Sequence, residues 1–474
     1  MSTQDIKPFP SQRSTSESPL PALAPCKTAV HQPQMTPEER EGLKKTKVLI
    51  VGADIGGLML GNLLQKGGID FQILEKSKEV KPLGSAMSLG STLNGMLQQL
   101  NILEEFKEIG KPYTHLQIFN QDLESILSLD MTDRNAISGG EEVIVARPDL
   151  YDLLLRQISK ENIHMGKKVA SFVQGENGVM IRCTDNSTYK GDILVGADGA
   201  HSAVRQHMYS ELKQAKKLPA SDDVPLPYSY WATFTTIRNS VCWSVVETLN
   251  NETFKIKDAF CCSEWCSEDS EAMCKEVRHF QVPGGKDGKV LTIGDLINRT
   301  PKGSVSKVIL EEKVFETWHD RRTVLLGDAC HKLNPAGGVG ALTAMHDAIA
   351  LANWICSVQS RDMADIEASF KEYRAERLPV AKEAFENSRM FDNIGGKGFV
   401  AKFTRAMMKH CPKILWRMLL TKMTANRGQA TFLPLVEDKG TSQPKYEASY
   451  YKTLEIQRKK PAVTIDHSSG TAVV

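Results

Sequence analysis

The chain lacks three features that would place it in a specialised class. Its 474 residues contain no run of about 18 uninterrupted apolar residues, the length that a membrane-spanning helix needs. The 59 Lys and Arg nearly balance the 57 Asp and Glu, and the net charge of +2 favours neither nucleic acid nor an acidic partner. Ten cysteines in so long a chain are not a disulfide framework, so we expect free thiols in a reducing, cytoplasmic compartment.

Some of the cysteines cluster, namely Cys261, Cys262, Cys266 and Cys274, with His279 close behind them. A structural zinc site usually takes a CxxC-like pair together with histidine at matching spacing. The spacing here is irregular. The cluster is therefore interpreted as free thiols, and no metal site is predicted.

Polar composition predicts loosely ordered segments at both ends of the chain. Residues 1–44 are rich in Ser, Pro, Gln and Thr and contain no apolar stretch of the kind found in a signal peptide. They are predicted to form a disordered tail. Residues 438–474 are similarly polar and are predicted to form a flexible tail.

The first informative segment reads VLIVGADIGGL, from Val48 to Leu58. Its apolar, β-branched run predicts a buried parallel strand, and its glycines predict a tight turn into a helix, with Gly52 at the turn and Gly57 packing the helix on the strand. The run Phe71–Glu75 predicts a second strand that ends in an acid. This order of elements is typical of a dinucleotide half-site, with diphosphate at the helix N-terminus and Glu75 on the ribose hydroxyls.

The second segment lies far downstream and reads RTVLLGDACH, followed by PAGGVG. Its apolar strand ends in Gly-Asp, and Asp328 is suited to hold the ribityl hydroxyls of a flavin. Nearly bare backbone at Pro335, Gly338 and Gly340 allows close approach to an aromatic ring system. A helix that begins at Ala341 would direct its positive end at the ring. Together the two segments indicate FAD and redox chemistry.

A third element follows the predicted strand Asp192–Val195. Asp198 and Gly199 stand at its end, and Arg205 lies on a short helix just beyond. Two interpretations stay open. Asp198 and Arg205 contact a second nucleotide or the diphosphate, or they are a turn residue and a surface arginine.

Asp54 stands where the G-x-G-x-x-G pattern has its middle glycine. At ~5 Å and an effective dielectric of about 20, a carboxylate repels each phosphate charge by about 3 kcal/mol. It can also cap the helix and occupy N–H donors meant for the phosphate. Three interpretations remain: the loop turns Asp54 outward and FAD still binds, FAD binds weakly, or the site is degenerate.

The pattern of elements predicts an α/β fold with a doubly wound, Rossmann-like FAD-binding domain in two parts, residues 45–224 and 316–395. Between them, in residues 225–315, aromatic and β-branched runs alternate with polar turns, which predicts an inserted antiparallel β-sheet as substrate domain. Residues 396–437 are predicted to be a basic helical segment.

Residues 401–428 contain seven Lys or Arg and no Asp or Glu, interleaved with large apolar residues. One interpretation is a helix that packs on the body and exposes a solvated basic face. The other is an amphipathic segment that lies on a membrane surface and admits a lipophilic substrate. Peripheral membrane contact through this segment therefore stays open.

The three motifs, in this order, resemble the class A flavin-dependent monooxygenases of the para-hydroxybenzoate hydroxylase type. The last of the three in chain order belongs to the second segment described above. It reads G-D-A-x-H-x-x-x-P-x-x-G-x-G from Gly327 to Gly340 and is highly specific. The local sequences Pro82–Ser85, Ala146–Leu150 and Thr317–Arg321 are similar to the fungal branch with FAD-dependent epoxidases and hydroxylases. The resemblance covers the chain from Lys47 to Asp392.

The resemblance implies an enzyme that reduces FAD with NADPH or NADH and uses O2. A flavin C4a-hydroperoxide would then hydroxylate or epoxidise an aromatic or terpenoid-like small molecule with a ring or an alkene. The resemblance assigns cofactor roles to Glu75, Ser88, Arg147, Asp328 and Ala341. It assigns contacts with both FAD and NADPH to Asp198 and Arg205.

Catalytic residues do not stand out in the sequence. Arg205, Tyr228 and Tyr230 are the candidates, and packing within a strand is the alternative for both tyrosines. Two other functions stay open. One is a different flavoprotein oxidoreductase of the same fold, although the W-x-W-x-I-P signature of halogenases is absent. The other is a non-catalytic binding protein, which only Asp54 suggests.

Overall fold

The computed structural model describes residues 46–80, 86–119, 122–224, 226, 228–236, 242–248, 270–283, 290–300, 306–334, 338–395 and 398–459. The predicted tail over residues 1–44, the cysteines at 261–266 and Pro335 lie outside the described residues. Within the described part, no helix has the length and apolar character needed to cross a membrane.

The first half of the described chain alternates strands and helices. Its strands are β1 (Lys47–Val51), β2 (Asp70–Glu75), β3 (Ala86–Leu89), β4 (Lys111–Pro112), β5 (His115–Phe119), β6 (Ser125–Asp130), β7 (Val143–Ala146), β8 (Ile163–Met165), β9 (Val169–Gly175), β10 (Gly178–Cys183), β11 (Thr188–Gly191) and β12 (Ile193–Gly196). Its helices are α1 (Ile55–Gly67), α2 (Asn94–Gln99), α3 (Leu103–Ile109), α4 (Thr132–Ser138), α5 (Arg147–Leu155) and α6 (Ala203–Gln214).

The second half begins with strands and ends with helices. Its strands are β13 (Tyr228–Thr236), β14 (Cys242–Thr248), β15 (Gln281–Val282), β16 (Leu291–Thr292), β17 (Ser306–Glu311), β18 (Lys313–Val314), β19 (His319–Asp320), β20 (Thr323–Leu325) and β21 (His331–Lys332). Its helices are α7 (Ser270–Val277), α8 (Ile293–Arg299), α9 (Gly340–Ser357), α10 (Met363–Gly395), α11 (Phe399–Lys409), α12 (Lys413–Met423) and α13 (Ala448–Lys459).

A six-stranded sheet, in the order β19-β20-β12-β1-β2-β8, forms the centre of the fold. Neighbouring strands are parallel except for the edge pair β19–β20. The side chains of β1 from Val48 to Ile50 are fully buried, as expected for a parallel strand covered on both faces. Helix α9 packs on α1, and α6 packs on β12 and β20. This confirms the predicted Rossmann-like class.

Between the two parts of that domain, β14, β13 and β17 form an antiparallel sheet. The change in sequence texture over residues 225–315 predicted such a sheet. Within that range, residues 237–241, 249–269, 284–289 and 301–305 lie outside the described residues. The role of the β14-β13-β17 sheet as the substrate domain, and the exact domain boundaries, stay predictions.

Residues 438–459 differ from the predicted flexible tail. Arg427 pairs with Asp438 at 2.7 Å, and α13 then packs on α9 and α10. Ser449 is buried and donates to Glu376 through its backbone N–H at 2.7 Å and its hydroxyl at 2.8 Å. The prediction from composition was wrong for these residues because their polar side chains form hydrogen bonds and ion pairs with the rest of the protein instead of with water.

Buried charges join this C-terminal segment to the motif that begins at Gly327. His331 Nε2 lies 2.5 Å from Asp347, and Arg377 Nε donates to the other oxygen of Asp347 at 2.7 Å. Arg377 also pairs with Glu447. Burial alone raises the pKa of Asp347, but His331 and Arg377 lower it below its usual range, so the carboxylate remains charged. The network fixes the Gly327–His331 turn against α9 and α10.

Candidate active site

The candidate cofactor residues follow four neighbouring strands at one edge of the central sheet. Val51 aligns with Leu74 of β2 and with Gly196 of β12, and Gly196 aligns with Leu325 of β20. Because these strands are parallel, their carboxyl ends meet at the same edge. The structure therefore brings Gly52, Glu75, Asp198 and Asp328 to one side of the sheet.

The glycine turn of the first segment is packed too tightly for side chains. Gly52 has φ +105°, and a Cβ built on it would lie 2.4 Å from the carbonyl oxygen of Ala197. A Cβ built on Gly57 would lie 2.1 Å from the carbonyl oxygen of Gly52. Only glycine fits at either position, so the backbone at the N-terminus of α1 remains open to a ligand.

The two halves of the candidate site touch at Gly56. A Cβ on Gly56 would lie 2.7 Å from Leu326 Cδ2 and 3.5 Å from Ala344 Cβ. Leu326 precedes the second Gly-Asp turn, and Ala344 belongs to the first turns of α9. The N-terminus of α1 thus abuts both elements of the second segment, as a single elongated ligand would require.

Glu75 is held beside the glycine turn by backbone donors. Its carboxylate accepts from Ala53 N–H at 2.9 Å and from Ser77 N–H at 2.8 Å. These bonds fix the carboxylate at the end of β2, next to the N-terminus of α1. This is the place that the dinucleotide pattern predicts for an acid on a ribose.

Asp54 pairs with another predicted cofactor residue. Its carboxylate lies 2.8 Å from a guanidinium nitrogen of Arg147 and accepts from the adjacent Ile55 N–H at 2.8 Å. The side chain is 58% exposed. Asp54 therefore caps α1, as the sequence suggested. Its charge is compensated by Arg147, a partner that the sequence did not indicate.

Tyr151, which the sequence did not single out, also belongs to this cluster. It lies on α5 one turn after Arg147, and its buried hydroxyl has no hydrogen-bond partner among the described residues. Burial, Glu75 and Asp54 raise its pKa to about 12, so the hydroxyl is protonated and able to donate. An orphaned buried donor beside two cofactor candidates favours an acceptor supplied by a ligand.

At the second segment, Gly327 has φ +61° and begins a short 3₁₀ turn, and Lys332 Nζ donates to Asp328 at 2.6 Å. Gly338 has φ +62°, and a Cβ on Gly338 or Gly340 would meet no atom of the described residues within 4 Å. Helix α9 begins at Gly340, one residue before the predicted Ala341. Among the described residues, none therefore covers the nearly bare backbone at the N-terminus of α9.

Asp198 and Arg205 have structural contacts. Asp198 accepts from the Ser202 hydroxyl at 2.5 Å and from Ala203 N–H at 2.6 Å, which caps α6. Arg205 is buried, so the alternative of a surface arginine is wrong. It donates to Ala329 O at 2.8 Å and lies 4.1 Å from the Phe315 ring centroid. Arg205 thereby ties α6 to the Gly-Asp turn, while nucleotide contact stays a prediction.

The remaining candidates lie on strands β3 and β13. Ser88 lies on β3, and its hydroxyl is 2.7 Å from the hydroxyl of Tyr113. Tyr228 and Tyr230 lie on β13, where Tyr230 aligns with Thr248 and Leu310. Their side chains lie outside what the structure describes.

One group of potential metal ligands occurs among the described residues, formed by Cys330, His331 and Asp347. Both oxygens of Asp347 are engaged, one by His331 and the other by Arg377. The fixed positive charge of Arg377 disfavours a cation there. The group is better explained as part of the buried charge network.

The chain belongs to the FAD binding domain family, whose model matches residues 45–245 and 291–388. The FAD-dependent monooxygenase janM of Penicillium janthinellum is 29% identical over 373 residues, which are 72% of this chain and 76% of that protein. The aurachin C monooxygenase/isomerase of Stigmatella aurantiaca is 28% identical over 366 residues, which are 73% of this chain and 89% of that protein.

Among solved structures, HpxO of Klebsiella pneumoniae complexed with FAD and uric acid superposes with a TM-score of 0.62. At 19% identity it covers 80% of this chain and 97% of its own, and it shows the fold. With the family match and the relatives, this confirms the predicted class: the chain is an FAD-dependent monooxygenase. The findings do not support the non-catalytic alternative that Asp54 suggested.

We expect Tyr151→Phe to weaken FAD binding about tenfold. The hydroxyl would lose a hydrogen bond to the cofactor, and a lost bond of about 1.4 kcal/mol corresponds to a factor of ten. The melting temperature of the FAD-free protein should stay the same or rise, because an unpaired buried hydroxyl disappears. FAD titration by fluorescence quenching measures the affinity, with Tyr189→Phe as the matched control. Equal FAD affinity in both variants would rule out a cofactor contact for Tyr151.

We expect Asp54→Gly and Asp54→Asn each to lower the FAD dissociation constant, by less than about tenfold. Either change removes a negative charge near the diphosphate and frees Arg147, while the exposed position of Asp54 keeps the effect small. The asparagine variant retains the volume and so separates charge from space. FAD titration of both variants, at low and at high salt, measures the two dissociation constants and the electrostatic part of each change. Weaker FAD binding in both variants would show that Asp54 helps to hold the cofactor by positioning Arg147.

Proposed function

We propose that this monooxygenase takes electrons from NADPH or NADH and places one oxygen atom from O2 on an aromatic or terpenoid-like small molecule, by hydroxylation or epoxidation. The observation that carries the proposal is the convergence of two glycine-rich turns at one sheet edge, with Glu75 and Asp328 at either side of them. The names of the relatives, monooxygenases that include one acting on aurachin C, support the substrate class.

The residues at this edge suit the parts of FAD. The backbone at Gly52 and Gly57 and the N-terminus of α1 would receive the diphosphate, with Arg147 and Tyr151 beside it. Glu75 would accept from the adenosine ribose, and Asp328 from the ribityl chain. Gly338, Gly340 and Ala341 would lie along the ring, where the N-terminus of α9 favours negative charge.

FAD, when bound, supplies electron transfer from the nicotinamide and the activation of O2. The protein's own contribution is to bind the cofactor at both ends, to exclude water and to orient the substrate. Lys332 adds a function at the ribityl end. Burial lowers its pKa, but Asp328 and other nearby carboxylates raise it above its usual range, so Lys332 remains a cation and its ion pair holds the Asp328 side chain in place.

The proposal predicts a yellow protein whose flavin is bleached by NADPH or NADH without air and regains its colour in air. Stopped-flow absorbance with each nicotinamide identifies the reductant. A panel of phenols and terpenoids should contain a compound that accelerates nicotinamide oxidation, and its product should carry one ¹⁸O atom from ¹⁸O₂.

The control compares Asp328→Ala, which should lose bound flavin, with Asp133→Ala on the exposed face of α4, which should not. Flavin that stays oxidised with both nicotinamides, at one FAD per chain, would contradict the proposed electron source. Incorporation of oxygen from water rather than from O2 would contradict oxygen transfer.

A further inference from the structure

Helices α11 and α12 expose large apolar side chains on their outer faces. On α11, Phe399, Phe403 and Met407 follow one another at four-residue spacing and are 83%, 62% and 59% exposed. At 100° per residue, these positions fall on one side of the helix. Scattered surface apolar residues need no explanation, but a continuous stripe of this kind marks an interaction site.

Helix α12 repeats the arrangement. Ile414, Leu415 and Met418 are 77%, 54% and 63% exposed, and they lie on the side of the helix opposite to the buried Leu420. An ordinary surface helix has one apolar face, which it buries. Here the outward face is apolar as well.

The inner faces of both helices already have partners. Met408 of α11 and Trp416 and Leu420 of α12 pack in one cluster with Leu127, Leu129, Met131 and Ile137. Trp416 Nε1 also donates to Asp130 O at 2.7 Å. Because both helices are fixed to the same cluster, their apolar outer faces point away from it and are available to another surface.

Positive charge accompanies these faces. Lys402 and Lys409 are exposed on α11, and Lys413 and Arg417 are exposed on α12. Lys422 is exposed too and pairs with Glu383 at 2.6 Å. No Asp or Glu occurs between residues 401 and 428, so no acid within the segment offsets this charge.

We propose that the outer faces of α11 and α12 dock on an anionic lipid bilayer, with the apolar side chains in the headgroup and acyl boundary and the cations on lipid phosphates. Buried apolar area and attraction to anionic lipids together determine the affinity of such helices. A second copy of the chain fits less well. Symmetric contact through this patch would place the lysines of the two copies close together.

Co-sedimentation of the FAD-loaded full chain with vesicles tests the proposal. Vesicles of phosphatidylcholine alone are compared with vesicles that contain phosphatidylserine at physiological salt. We expect the protein to pellet with the anionic vesicles and at least tenfold less with the neutral ones. Equal pelleting with both, or none with either, would overturn the proposal.

Two variants separate the apolar and electrostatic contributions. Phe403→Asp/Ile414→Asp should abolish pelleting, and its matched control is Val173→Asp, an exposed apolar position on β9. Lys402→Glu/Lys409→Glu should reduce anionic pelleting at least tenfold, and its control is Lys190→Glu/Lys217→Glu at exposed sites elsewhere. Unchanged far-UV circular dichroism and unchanged flavin content verify that each variant is folded.

Size-exclusion chromatography with light scattering, without vesicles, tests whether a second copy of the chain binds this face instead of lipid. We expect the same mass for wild type and for Phe403→Asp/Ile414→Asp. A larger wild-type particle that this variant returns to a single chain, without vesicle binding, would assign the face to self-association and overturn the lipid proposal.

Discussion

Parallel pairing of β20, β12, β1 and β2 is the constraint on which the site depends. Since neighbouring parallel strands end at the same edge, turns that are far apart in sequence emerge side by side. The sheet alone therefore brings together the glycine turn after β1, the acid at the end of β2 and the Gly-Asp turn after β20. What remains is to keep the turns free of side chains, and the backbone contacts at Gly52 and Gly57 show why glycine is needed at those two positions.

The acidic residues at the two ends of the site form ion pairs in different surroundings. Near the first glycine turn, the exposed Asp54 is paired with Arg147, so an acid that departs from the usual pattern is compensated by a cation from α5. At the other end, Lys332 pairs with Asp328, and the turn behind it is fixed by the buried network of His331, Asp347 and Arg377. One end therefore carries an exposed ion pair, and the other is backed by a rigid buried one.

Local patterns predicted the elements that depend on nearby residues. The β1-α1-β2 unit, the Gly-Asp turn and the long helix α9 follow from apolar runs and glycines, and the structure has them within a few residues of the predicted bounds. Contacts between distant residues were not predictable in this way. The pairing of Asp54 with Arg147, the burial of Arg205 and the packing of residues 438–459 each depend on a partner brought close only by the fold. Tyr151 was missed for the same reason.

The central claim is that Glu75 and Asp328 contact opposite ends of one FAD molecule. Competition between ADP and FAD in the wild type, measured by flavin fluorescence, tests it most directly, together with ADP binding to Glu75→Ala and Asp328→Ala, measured by isothermal titration calorimetry without FAD. The account predicts that ADP displaces FAD competitively and that Glu75→Ala weakens ADP binding while Asp328→Ala leaves it unchanged. Simultaneous binding of ADP and FAD without mutual effect would contradict it, because the two acids would then serve separate sites.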